Sequence, residues 1–440
     1  MKTDPFVNIK TFFNDNIARD YSCLCKQYHD ENYLVSAIQD LIGHSIDFNN
    51  KSVLLKPNWV LHERRITDEY ALCTHPNLIL ALTKYILNNY IPTKITIGDA
   101  PLQDCIWDKL IKDDFKEEIT KLSTNYKVPI CIKDYRRVSL NFKKNKLTEN
   151  KSPITDYLLF DVGKESALEP ITHRKTKFRV TNYNPARMKE AHSIGVHKYC
   201  ITKDFFEHDL VITLPKIKTH QKAGITGALK ILVGINGDKD FLPHHRKGGD
   251  KLGGDCYPGG NPLKYMTESF LDVINRFRGK FLYETLRTGA FAFWKYILLT
   301  PTHYLGAGWY GNDTCWRMVS DLNKIARFGS KDGKIHTERQ REVYSLSDGI
   351  IGGQGNGPLN PQPLHLGVLI FSNEPLLNDL VISRIMKLNS NKIPIIKEVK
   401  PEQIKNCTLK LNKEIVSIDE IDMISIDTEP SPGWELLLQE

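Results

Sequence analysis

The chain has 440 residues, 41% hydrophobic and 25% charged, a globular balance that excludes disorder along its whole length and allows two domains or one large α/β domain with insertions. The net charge of +8 is unevenly spread: 214–251 holds eight Lys/Arg against three Asp, whereas 414–440 holds eight acids and no Lys or Arg. Such a basic stretch points to an anion site; nucleic acid is the unlikely partner, because no nucleic-acid-binding motif accompanies the charge.

The start, MKTDPFVNIKTFFNDN, lacks the uninterrupted apolar core of a signal peptide, so a cytoplasmic protein is expected. Residues 1–50 read as a helical leader around Asn32–Ile42. The first clear strand is Ser52–Leu55, which breaks at Lys56, Pro57 and Asn58. Thr74, His75 and Pro76 then start a helix with an apolar face of Leu78, Ile79, Leu82, Ile86 and Leu87. Lys94–Ile97 follows as a strand ending in Gly98-Asp99, and strand–helix–strand at this spacing implies parallel pairing. Further strands are expected at Val128–Ile132, Phe178–Thr181, Asp209–Leu214, Val343–Leu346 and Leu366–Phe371. Their continuous apolar runs suit a sheet covered on both faces. The expected fold class is therefore α/β, a mostly parallel sheet covered by helices.

Residues 259–340 interrupt this pattern as a helical, aromatic-rich insertion between a first part of the core (51–258) and a second (341–400). Within it, Thr288–Leu299 is too short to span a bilayer and contains Lys295; it reads as a buried helix, or as a membrane-surface contact through Phe291, Phe293, Trp294 and Tyr296. The acidic tail, 401–440, holds a β-like piece at Ile415–Ile426. Nine cysteines without a CxxC pair predict neither a disulfide framework nor an intrinsic iron–sulfur cluster.

In open parallel sheets, ligands bind beyond the carboxyl ends of the strands, and there the sequence places its unusual residues. Lys56 and Asn58 follow one strand, Asp99 a second, Lys216, Lys218 and His220 a third, and Asp348 a fourth. Glycines at 224 and 227, with Thr219 and Thr226, precede a helix start near Gly227–Lys230 whose amides would cradle an anion beside Lys216, Lys218, Lys222 and Lys230. The order GxxxxGK[ST] is absent, so ATP is not implied. Asp99, His220 and Asp348 are the candidate acid/base groups, with either Asp also able to hold a divalent metal. Gly355 lies in a glycine-rich turn suited to wrapping a ligand. His244, His245 and Cys256 form a candidate transition-metal set, although their spacing matches no standard zinc signature. Asp379 reads most simply as a helix cap.

The set Lys56-Pro57-Asn58, Gly98-Asp99-Ala100-Pro101, LPKIKTHQKAGITGALKILVGINGDK (214–239) and Asp348-Gly349 through Gly355-Asn356-Gly357-Pro358 resembles the family catalogued as domain of unknown function 362, over roughly residues 51–390. Some members carry a ferredoxin-like iron–sulfur module, whose four-cysteine runs this chain lacks. The resemblance thus also implies a redox or assembly partner of an iron–sulfur or membrane-associated system. The stretch WYGNDTCWRMVSDLN (309–323) looks like the subgroup found among surface-polysaccharide biosynthesis genes. A more distant similarity, to nickel-pincer lactate racemases, implies that Lys216 or Lys218 and His220 contact a cofactor. The function expected is an enzyme acting on a small anionic metabolite: phosphorylated, nucleotide-linked or carboxylate.

Overall fold

The computed structural model describes residues 4–438 apart from 66–67, 144–145, 181–182, 278–279, 281, 284, 287, 290–305 and 398–405. Among these, twelve strands form one sheet: β1 (Phe6–Thr11), β2 (Ser52–Pro57), β3 (Lys94–Asp99), β4 (Ile130–Asp134), β5 (Leu210–Leu214), β6 (Lys216–His220), β7 (Gly224–Thr226), β8 (Val343–Gln354), β9 (Gln362–Leu364), β10 (Val368–Ser372), β11 (Thr408–Leu411) and β12 (Glu414–Ile415). The main path runs β12-β11-β1-β10-β8-β5-β2-β3-β4, with β6 on β7 and β8, and β9 on β8. From β8 to β4 every neighbour is parallel: Val211 lies opposite both Val343 and Leu54, and Ile95 opposite both Val53 and Ile130. β10 runs antiparallel to both β8 and β1, and β1 pairs with β11 in parallel. The fold is α/β, with a large, mostly parallel sheet.

The apolar runs are continuous because the sheet buries both faces. Leu54 and Val211 join one core layer with Leu232, Ile235 and Leu322. Val53, Leu55, Ile212 and Leu214 join the other, under α1 (Tyr21–His29), α2 (Glu31–Ile42), α3 (Pro76–Asn89) and α4 (Asp113–Tyr126). The start of α3 is as expected: Pro76 opens it, and the Asn77 amide donates to His75 Nδ1 at 3.2 Å. The remaining long helices are α5 (Pro262–Asn275), α6 (Cys315–Phe328) and α7 (Pro375–Ile385).

Several elements depart from the sequence reading. The leader begins with β1, which fills the place between β10 and β11. Of the expected strand Phe178–Thr181, the described residues form one only at Phe178–Arg179, which pairs with His245–Arg246 away from the main sheet; Thr181 lies outside the described residues. Lys216–His220, read as loop, is strand β6, hydrogen-bonded to β8. The tail's β-like piece stops at Ile415; Asp419–Ile424 instead forms a 3-10 turn, drawn in by Arg384, which binds both Asp419 and Asp422. No described helix is long and apolar enough to cross a membrane. Most of the 288–299 stretch lies outside the described residues.

Candidate functional site

The strand tips share one edge of the sheet, but their side chains divide into separate clusters. At the ends of β2 and β3, Lys56 Nζ donates to Asp99 Oδ1 at 2.7 Å and to the Pro57 carbonyl at 3.0 Å. The other Asp99 oxygen accepts the Trp59 amide at 2.7 Å. Gly234 closes over this pair, and a Cβ there would stand 1.9 Å from Asp99 Oδ1 and 2.5 Å from Lys56 Nζ, so only glycine fits.

Asp348, expected just after its strand, lies inside β8, which runs on to Gln354, and opposite it Lys216, the first residue of β6, sets its Nζ against Asp348 Oδ2 and the Tyr28 hydroxyl, each at 3.0 Å. Tyr28 donates to Asp348 Oδ1 at 2.5 Å, and the His75 amide donates to Asp348 Oδ2 at 2.9 Å. The Tyr28 ring stacks on His75, with centroids 4.1 Å apart. Every member is buried. Burial holds the Lys216 pKa down and, with the Asp348 charge, pushes the Tyr28 phenol well up. Both Asp348 oxygens are engaged by protein donors, which marks the group as a brace between α1, α3 and the sheet. The sequence singled out Lys216 and Asp348 but gave no sign of Tyr28, which lies 320 residues from Asp348.

The expected anion cradle exists, and the protein fills it with its own carboxylate. Asp379 of α7 accepts the Ala228 amide at 2.6 Å and the Leu229 amide at 3.1 Å. A Cβ at Gly227 would lie 2.1 Å from Asp379 Oδ1. Gly227 thus admits a side chain from the same protein, and the turn that follows is a 3-10 helix, Lys230–Ile235. Other expected ligand contacts are likewise turned inward. Lys218 Nζ donates to the Leu72 and Pro358 carbonyls, and Thr219 Oγ1 to the Gly355 carbonyl. Gly224 packs against the Trp434 ring. Asn58 Nδ2 and Thr226 Oγ1 are buried without a hydrogen-bond partner.

What remains is a cationic recess. Lys222, Lys230 and Lys239 gather near Lys56 with His220 and His244 beside them; the field of Lys230 acts on both imidazoles, on Lys222 and on Lys239. Lys222, Lys230 and His244 keep part of their surface accessible, and burial is the first cause of their lowered pKa values. Burial brings the Lys239 pKa down to about 7, opposed mainly by Asp99. Burial lowers the Lys230 pKa, the Cys315 thiol opposes it and the Lys56 ammonium adds to it, with no carboxylate countering. Burial and the surrounding lysines hold both His220 and His244 well below the ordinary imidazole range. Their neutral tautomers follow from their partners. His220 Nδ1 accepts the Lys222 amide at 3.0 Å, which leaves the proton on Nε2. His244 Nδ1 donates to the Leu242 carbonyl at 2.8 Å, which leaves Nε2 as an acceptor. The sequence reading named Lys230, His220 and His244 as site residues but not Lys239, whose available signal was its place within the basic run 214–251.

The 309–323 stretch builds one wall of this recess. Asn312 Oδ1 caps α6 through the Thr314 and Cys315 amides, and Asn312 Nδ2 donates to the His244 carbonyl at 2.9 Å. Asp255 accepts from Thr314 Oγ1 and the Arg246 amide, both at 2.5 Å. Asn323 Nδ2 donates to the Leu229 carbonyl at 2.9 Å. A groove of about 710 Å³, lined by Leu377, Val381, Leu409 and Leu437, lies apart from all these groups.

Of the expected metal set, His245 and Cys256 come together, and Glu268 of α5 joins them, the three donor atoms lying within 4.8 Å of one another. His244 does not belong to this group: its Nδ1 is held by Leu242. Glu268 was missed because it sits mid-helix, twelve residues beyond Cys256, with no local motif.

The model of the family described as Domain of unknown function (DUF362) matches residues 53–384. No curated protein matches the chain. Among solved structures, the chain is similar to the crystal structure of a Thermotoga maritima protein at 9% identity and a TM-score of 0.33, over 77% of this chain and 56% of that one. The likeness thus spans little more than half of that protein's length.

Proposed function

The chain belongs to the DUF362 family of domains of unknown function, and from that premise we propose that it is an enzyme that binds a small anionic metabolite in the recess of Lys222, Lys230 and Lys239. The observation that carries this reading is the gathering of positive charge: Lys56 and Lys230 both act on Lys239, Lys230 also acts on Lys222, and the carboxylates that answer them are Asp99, already paired with Lys56, and Asp255, already held by Thr314 and Arg246. Burying like charges together is costly unless a counter-charge arrives, and a phosphate or carboxylate supplies it. His244 Nε2 offers a base beside that anion and His220 Nε2–H a hydrogen-bond donor to it; a proton taken up by His244 is returned by the same side chain as imidazolium. Racemisation or epimerisation next to a carboxylate is the reaction this pair serves most directly.

The likeness of 309–323 to chains encoded near surface-polysaccharide biosynthesis genes supports a sugar phosphate or nucleotide-linked sugar as the substrate, and this stretch forms the recess wall. The test is thermal unfolding of the purified chain with sugar phosphates, nucleotide sugars, hydroxy acids and inorganic phosphate. A true ligand at 100 times its dissociation constant adds about 2.7 kcal/mol of stability. Absence of any shift across all four classes overturns the reading.

A further inference from the structure

We propose that His245, Cys256 and Glu268 form a binding site for one zinc-type divalent ion, with a fourth coordination position left for water or a ligand. All three side chains are more than nine-tenths buried. Gly248 donates its amide to Glu268 Oε2 at 2.7 Å, which leaves Oε1 facing His245 Nε2 across 3.8 Å, too far for a hydrogen bond. Glu268 Oε1 and His245 Nδ1 both lack a hydrogen-bond partner. Buried polar atoms without partners are rare and costly, and here they belong to two residues of the same trio. In a tetrahedral zinc site with bonds of roughly 2.0–2.3 Å, neighbouring donor atoms stand about 3.3–3.6 Å apart, so a small contraction of the trio suffices.

The backbone prepares this arrangement. The loop 248–259 folds back on itself so tightly that a Cβ at Gly249 would meet the Gly259 carbonyl at 1.9 Å, and one at Gly254 the Gly248 carbonyl at 2.1 Å. The Cys256 amide donates to the Gly248 carbonyl at 2.9 Å, so the residue carrying the thiol is tied to the residue that holds the carboxylate. The Gly306 amide donates to Cys256 Sγ at 3.4 Å, the outer contact that orients a ligating sulfur. Nitrogen, sulfur and oxygen donors together select a borderline ion such as Zn²⁺ or Co²⁺ over Mg²⁺ or Ca²⁺, which take oxygen ligands. Three protein ligands with an open fourth position is the arrangement of metal sites that hold a reactive water or a substrate. The site stands on its own geometry and does not depend on what the lysine recess binds.

The experiment is a Co²⁺ titration of the chelator-stripped full chain in phosphate-free buffer. The expected result is one ion per chain, with a near-ultraviolet thiolate-to-cobalt band and four-coordinate visible bands, all displaced by Zn²⁺. Cys256→Ser abolishes the near-ultraviolet band, and His244→Asn leaves it unchanged. Binding below one ion per chain, no thiolate band, or a band that survives Cys256→Ser overturns the proposal. Should Cys256→Ser fail to fold by circular dichroism, Glu268→Gln replaces it: at least tenfold weaker Co²⁺ affinity supports the site, and unchanged affinity overturns it. Loss of the site would leave any stabilisation by phosphate untouched, so the two readings fail separately.

Discussion

Lys230 and Gly234 stand four residues apart in the chain and perform opposite kinds of work. Lys230 brings a charge into a recess where no carboxylate answers it. Replacing it with Met removes that buried like-charge repulsion, and exchanging a poorly compensated charge for an apolar side chain of similar length raises stability by on the order of 1 kcal/mol. The same change should erase stabilisation by phosphate or sugar phosphates. Thermal unfolding of Lys230→Met with and without 10-fold-varied ligand checks both signs, and a variant that keeps the full ligand shift counts against the recess. Gly234 contributes only its lack of a side chain. Gly234→Ala drives a methyl group into the Lys56–Asp99 pair, 1.9 Å from one oxygen. Breaking a buried pair costs about 3–5 kcal/mol, so the expected outcome is a chain that unfolds at much lower denaturant concentration.

The same economy joins whole elements. α7 reaches the 3-10 helix at Lys230–Ile235 through Asp379, and α1 reaches β8 through Tyr28. Asp379→Ala leaves two buried amides without an acceptor, at about 1–3 kcal/mol each, and should loosen the segment that carries Lys230. Burial raises the Asp379 pKa from its ordinary 3.8 to about 7. A carboxyl raised in the folded state favours folding while protonated, so its contribution is complete below pH 3.8 and is lost as pH rises to about 7. Wild-type stability should therefore fall across that window by more than that of Asp379→Asn, which cannot ionise; equal slopes in urea unfolding would refute the assignment. These long-range partners explain what the sequence could and could not reveal. The strands were legible because burial on both faces writes a local apolar run, as at Ser52–Leu55 and Leu210–Leu214. The anion cradle near Gly227 was legible as a cradle, yet its occupant lay about 150 residues away, beyond any local pattern. β1 escaped notice because half-buried Asn8 and Lys10 interrupt its apolar residues, and its place in the sheet depends on β10 and β11.

Across the molecule, the tips of the parallel strands do meet at one edge, but burial sorts them by whether a partner waits. Lys56 and Lys216 pair directly with carboxylates and become braces, whereas Lys239 and Lys222 feel the fields of Asp99 and Asp255, and burial of Lys230 is countered by no carboxylate. The recess is consequently a store of unfavourable charge that a ligand relieves, and its signature is a link between protons and anions. Lys239, lowered from its ordinary 10.5 to about 7, is charged in the unfolded chain and neutral in the folded one between those limits. The unfolded state thus binds more protons there, so this group's contribution makes stability rise with pH from about 7 to 10.5 and leaves the penalty complete below that window. An anion acts in the opposite sense, because it favours the charged ammonium. Sulfate is the discriminating probe, since its own charge is constant from pH 6 to 9 and any pH dependence belongs to the protein. Its affinity should fall as pH rises through about 7 and above, by up to about tenfold per unit for one linked proton, and binding near pH 8 should take up protons from the buffer. Calorimetric titration in two buffers of different ionisation enthalpy measures that uptake directly. Lys239→Met should flatten the pH dependence while leaving weak binding through Lys222 and Lys230. Proton release on sulfate binding, or affinity that climbs with pH, would mean that the lysines are not the groups the anion meets.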